Sequence, residues 1–226
     1  MAFAGLGPPG GGMFERGRGP AVLPGTYHLA VTVRGTTEEG SVTVNFDPTL
    51  KVDPAELRTQ LQAGLEARNA LSALNDMLNR VDAMQKALAD FQRTIGGSSD
   101  DDLKKKYAPL LRRARELGTK LKTMKDDVYN SDVQQGVGED SIHYLERFHD
   151  RFQGLSGAIS SSFGEAPNAL VREQTQTLMT ELHRHLDDFN KLIKTDVAAY
   201  NKEAFNASAP TLYAGEPIAI KKVTGF

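Results

Sequence analysis

Leu57, Leu61, Leu65, Leu71, Leu74, Leu78, Val81, Met84, Leu88, Phe91 and Ile95 recur at steps that settle into threes and fours. A stripe with that period is the core-facing side of a helix. Its start is written in Val52-Asp53-Pro54-Ala55-Glu56: Asp53 can cap, Pro54 suits the first helical position, and Glu56 completes a capping-box-like spacing. Gly96-Gly97-Ser98-Ser99 stops it. At about 1.5 Å per residue such a rod is roughly 60 Å long, so it should pack lengthwise on others.

Three more helices are expected. Ser99 or Asp100 caps the second, and Leu103, Tyr107, Leu110, Ala114, Leu117, Leu121, Met124 and Val128 alternate by four and three, a coiled-coil seam. Pro109 inside it should kink the rod or split it near Tyr107. The stretch YNSDVQQGVGED reads as a loop. A third helix carries Ile142, Leu145, Phe148, Phe152, Leu155, Ile159 and Phe163 and ends at Gly164. The fourth begins near Pro167 and runs through Val171, Leu178, Leu182, Phe189, Ile193, Val197 and Tyr200. The expected fold is mainly α: an antiparallel up-and-down four-helix bundle of coiled-coil-like helices over residues 53–205. Residues 206–226 form an irregular tail in which PIAIKKV could be a short strand. No period of about 20–50 residues repeats, which argues against a solenoid.

Ahead of the helices, residues 21–48 read as a β-hairpin. Tyr27, Leu29, Val31 and Val33 share one face of a period-two strand, with His28, Ala30, Thr32 and Arg34 on the other. RGTTEEG supplies a polar, glycine-bounded connection, Val42, Val44 and Phe46 continue the apolar face, and Pro48 ends the return strand. Two strands alone are marginal in water. Either the helices cover the apolar face, or the missing strands belong to polypeptide outside this chain.

Composition narrows the chemistry. With 25% charged and 39% hydrophobic residues the chain is ordinary globular protein, and a formal net charge of −2 gives no global argument for a nucleic-acid partner. The absence of cysteine removes disulfides, thiolate zinc sites and cysteine nucleophiles. No apolar run approaches the ~20 residues of a membrane helix, so membrane insertion is not expected. Residues 1–20 lack the charged start and apolar core of a secretory signal and read as a flexible Gly/Pro-rich tether. Arg16 and Arg18 between its glycines are too few for an RGG-type RNA element.

Candidate reactive groups are few. Glu146-Arg147-Phe148-His149 is a Glu-x-x-His step, the unit that carboxylate-bridged di-iron bundles use twice. Its second copy is missing, because Glu181 is followed by His183 and His185 at the wrong spacing. The hydrophobic stripe places His149 beside the core and Glu146 further out. His183 and His185, two apart, do not face each other on a helix, and His185 beside Leu182, Leu186 and Phe189 suits packing. Glu146, His149 and His185 are thus the candidate metal ligands of a bundle-metalloenzyme alternative, while the main expectation is no metal, no cofactor and no catalytic residue. Ser160, Ser161 and Ser162 lack a nucleophile elbow, and no glycine-rich stretch matches a phosphate loop. Lys104, Lys105, Arg112, Arg113 and Arg115 read as a solvated face.

Hairpin and helices together resemble a known pattern. Pro24-Gly25-Thr26-Tyr27, then Val44-Asn45-Phe46-Asp47-Pro48, with the stretch from Asp140 to Asn201, are similar to the C-terminal region of bacterial sortilin-like, Asp-box (BNR) repeat β-propeller proteins, many named glycosyl hydrolases. Thr49 stands where that family usually has arginine. The resemblance covers about residues 20 to 205. It implies that the hairpin is the last part of an Ig-like sandwich, that sugar-cleaving chemistry lies upstream in the propeller, and that the address is periplasmic or extracellular. No Asp-box and no tryptophan occur here, so no catalytic residue carries over.

The expected function is a non-catalytic accessory module. It supports packing or assembly through a β-propeller domain of the same or a longer polypeptide, or self-associates through its helices or hairpin. The alternatives are a helical-bundle metalloenzyme and a structural subunit pairing through its hairpin.

Overall fold

The structure is a computed structural model that describes residues 20–49, 51–130, 145–161 and 164–224. The expected tether, the arginines Arg16 and Arg18, most of the YNSDVQQGVGED loop, Ile142, Ser162 and Phe163 lie outside these residues. The chain is mainly helical, with one two-stranded antiparallel hairpin.

Strands β1 (Gly25–Val33) and β2 (Thr36–Val44) pair along their full length, from Gly25 opposite Val44 to Val33 opposite Thr36. The expected seven-residue connection RGTTEEG shrinks to Arg34-Gly35, both at positive φ (50° and 86°). That is the signature of a two-residue type I′ turn, whose twist matches the strands. Thr36 to Gly40 are strand despite their polarity because nothing covers them and polar side chains cost nothing there.

Helix α1 (Pro54–Gly96) starts as expected with Asp53 accepting from the Ala55 N–H at 2.8 Å. Glu56 does not close a capping box. Its carboxylate accepts from the Ala166 N–H at 2.7 Å and ties the start of α1 to the α3–α4 connection. Between Ala70 and Leu78 most side chains are buried, Ala73 and Asn75 included, while Ser72 and Asp76 mark the side that stays open.

Helix α2 (Asp101–Val128) is capped by Asp100, which accepts from the N–H groups of Asp102 and Leu103, both at 3.0 Å. It is one continuous helix with Pro109 inside it, not two. Pro109 is exposed, so the Lys105 carbonyl it leaves unpaired within the helix faces the side where water can take over. Helix α3 (Phe148–Ser161) starts later than its apolar spacing suggests, and Leu145, expected in its stripe, is 70% exposed. Asp150 accepts from the Arg147 N–H at 3.2 Å, the reach-back half of a capping box. Asn168 caps α4 (Ala169–Leu192), which passes through a π-helical turn at Ile193–Val197 into α5 (Ala198–Asn206). The last three form one rod, as the sequence stripe implied.

Paired contacts fix the directions. Phe91 meets Tyr107 edge-on at 5.8 Å and Asp82 binds Lys125 at 2.7 Å, so α2 descends along the upper half of α1. His149 reaches Asn75, and Gly164 lies against Val52, so α3 descends along the lower half. Lys120 pairs with Asp196 and Arg113 with Glu203, while Arg151 pairs with Glu181; α2 therefore runs antiparallel to the α5 end of the third rod and α3 to the α4 end. Both α2 and α3 pack antiparallel on α1, one after the other along its length, and both also contact the α4–α5 rod.

The tail does not pair as a strand. It runs back along the third rod, with Leu212 at Asn201, Ile218 at Asn190 and Lys221 at Asn69 of α1.

Candidate functional site

The polar groups that converge inside the helices lie where α1, α2 and α3 meet. Asn75 is 3% exposed, among Leu71, Leu74 and Leu78, and its Oδ1 lies 3.1 Å from His149 Nε2. The other imidazole nitrogen lies 3.8 Å from Asp150 Oδ1, an ion-pair separation rather than a hydrogen bond. About two turns further along α1, Asp82 accepts from Lys125 Nζ at 2.7 Å with both side chains at most a quarter exposed. Tyr129, just past α2, packs edge-on to His149 at 5.4 Å and sits under Lys125 Nζ.

The electrostatics follow from this crowding. The His149 imidazole, helped by the Arg147 N–H, holds the Asp150 carboxyl below the usual carboxylate range against the cost of its burial. Burial pushes the Tyr129 hydroxyl up, and the Asp150 and Asp82 carboxylates add to the rise.

A second cluster joins α3 to α4. Glu181 accepts from Arg151 at 2.8 Å and lies 3.7 Å from His185 Nε2. His185 is 6% exposed, and its ring tilts against Phe148 at 5.0 Å. Burial lowers its pKa, with Arg184 acting in the same direction and Glu181 opposing, so the ring is neutral at neutral pH.

The Glu-x-x-His step does not form a helical unit. Glu146 is exposed ahead of α3, whereas His149 is inside the helix and turned to α1. His183 is exposed on α4, on the other side from His185. Among the described residues no group of three or more His, Asp or Glu side chains stands so that it could hold a metal ion. Ser160 bonds back to the Ser156 carbonyl at 2.8 Å, an ordinary use of a helical hydroxyl. On the basic face of α2, Lys104 and Lys105 make loose ion pairs one turn back with Asp101 and Asp102.

Acids and bases are thus matched across the α1–α2 and α3–α4 seams, and an amide–imidazole contact joins α1 to α3. These contacts tie each rod to its neighbours. Sequence reasoning overlooked Asn75, Asp82, Lys125 and Tyr129. The usable signal was an asparagine at a core position of a leucine stripe, a residue that is helix-disfavoured unless its amide is engaged.

No family model matches the chain, and neither a curated protein nor a solved structure does. No helix among the described residues is long and apolar enough to cross a membrane.

Proposed function

We propose that the chain is a non-catalytic interaction module in which the helices form a rigid body and the hairpin is the docking element. The observation that carries this reading is the uncovered apolar face of the hairpin: Leu29, Val31, Val33 and Val42 are 43 to 61% exposed. They share one face of a sheet that has two strands among the described residues. Such a sheet gains stability by receiving further strands at its edges or a second sheet on its face. The hairpin is attached to the helices at its base, where Phe46 and Val52 pack around Gly164.

The resemblance to the tails of sortilin-like β-propeller proteins supports a specific partner. The hairpin then completes an Ig-like sandwich of an exported polypeptide of glycosyl-hydrolase type. The ion pairs and the filled aliphatic core support an architectural role for the helices rather than a reaction.

The test is size-exclusion chromatography with light scattering on the full chain and on the double variant Leu29→Lys/Val31→Lys, alone and with the polypeptide encoded upstream. Association that the lysines abolish, with unchanged helical circular dichroism, is the expected result. A wild-type chain that stays monomeric and captures nothing, or association indifferent to the lysines, removes the hairpin from this role.

A further inference from the structure

The C-terminal segment crosses the seam between α1 and the α4–α5 rod without joining any helix or strand among the described residues. Side chains of the rods hold it by its backbone. Asn201 accepts from the Leu212 N–H at 2.7 Å and donates to the Leu212 carbonyl at 2.9 Å. Asn190 treats Ile218 the same way, at 2.8 and 2.9 Å. Each carboxamide offers one acceptor and one donor to a single tail residue, as an adjacent strand would. The two residues gripped in this way are also the two whose side chains are sunk, at 6% and 7% exposure.

Between them stands Arg80, held by Asp76 through Nε at 3.1 Å and Nη2 at 2.8 Å. Its Nη1 donates to the carbonyls of Ala214 (3.0 Å) and Glu216 (2.6 Å). Gly215 is required twice over: its φ is +69°, and a Cβ there would lie 2.6 Å from Arg80 Nη1. Asn69 closes the far end by donating to the Lys221 carbonyl at 2.9 Å. The seam therefore selects a chain of pattern Leu-x-x-Gly-x-x-Ile that bends at its glycine.

We propose that this seam is a peptide-binding groove for that pattern, filled by the chain's own tail in cis and by the tail of a second copy of this chain in trans. The tail behaves as a tethered ligand, because its grip comes from rod side chains and not from its own connector. That connector is short and strained. Ala209 N–H bonds back to the Ala204 carbonyl, which forces Ser208, two residues before Pro210, to a left-handed φ of 57°. Short strained connectors favour segment exchange, since the exchanged tail makes the same contacts while the connector extends. This surface is separate from the hairpin, so the two proposals stand or fall independently.

A fluorescent peptide spanning residues 207–224, titrated onto the full chain and followed by anisotropy, tests the groove. Saturable binding is expected, at least tenfold tighter to an Ile218→Ser chain whose own tail is loosened. Gly215→Ala in the peptide should weaken binding at least tenfold, a comparison on the wild-type chain that no folding defect can confuse. Trans entry is read separately. The chain has no cysteine, so donor and acceptor dyes on Tyr213→Cys, at an 86% exposed position, label two populations for mixing at high concentration. Energy transfer is expected, competed by unlabelled peptide and reduced by Ser208→Gly, which relieves the connector. A peptide that binds neither chain, or binds equally well with Gly215→Ala, overturns the groove. Peptide binding without energy transfer at any concentration overturns the exchange.

Discussion

Asn75 and His149 join α1 to α3 through a contact that aliphatic side chains cannot make, and each leaves a polar atom in the interior if the other is cut back. Asn75→Ala opens a small cavity and strips that partner from the imidazole, so urea unfolding should show a loss of about 2 kcal/mol. His185 acts through charge. Its folded pKa lies below the ordinary value of 6.5, so the unfolded chain binds the proton more readily. The stability from keeping this ring neutral is complete above that ordinary value and drains away as pH falls below it. The groups around it are Arg184, Glu181 and Asp127. Thermal unfolding of wild type from pH 7 down to pH 5 should therefore show a fall in Tm that is shallower in His185→Gln.

Among the elements, α2 carries an avoidable defect. Pro109 breaks one intrahelical bond on an exposed face, yet the helix continues on both sides. Pro109→Ala restores the N–H and relieves the clash with the preceding turn, partly offset by a freer unfolded chain. A stabilisation of about 1–2 kcal/mol by chemical denaturation is expected. Much of α1 could be read from its stripe, because large aliphatic residues at helical spacing leave few alternatives. What the stripe hid was how fully its middle is enclosed. Ala67, Ala70 and Ala73 are buried as deeply as the leucines, but alanine looks the same in a sequence whether it faces a neighbouring helix or water. The hairpin connection hides for the opposite reason: its polarity resembles a loop, yet Arg34-Gly35 alone turns the chain and an exposed strand tolerates Thr and Glu.

At the scale of the whole molecule, Asp82 and Lys125 link the descending rod to the central one. With both side chains largely but not wholly shielded, Asp82→Asn or Lys125→Met alone should cost about 1–3 kcal/mol by leaving the other charge unmatched. The double variant should recover most of it, and a double-mutant cycle measures the difference. The candidate sites divide along the same line. His185 was legible as a packing histidine because its neighbours lie on its own helix. Asn75 with His149, Asp82 with Lys125, and the asparagines that grip the tail were not, since each pair joins different elements of the fold. Long helices, the hairpin ahead of them, their caps and their apolar stripes are all legible in the residues alone, because capping and periodicity act within a few residues. The packing of both α2 and α3 on α1, the course of the tail along the seam between α1 and the α4–α5 rod, and the pairing of Asp82 with Lys125 came with folding in three dimensions. Those outcomes depend on contacts between distant segments, which no local period encodes.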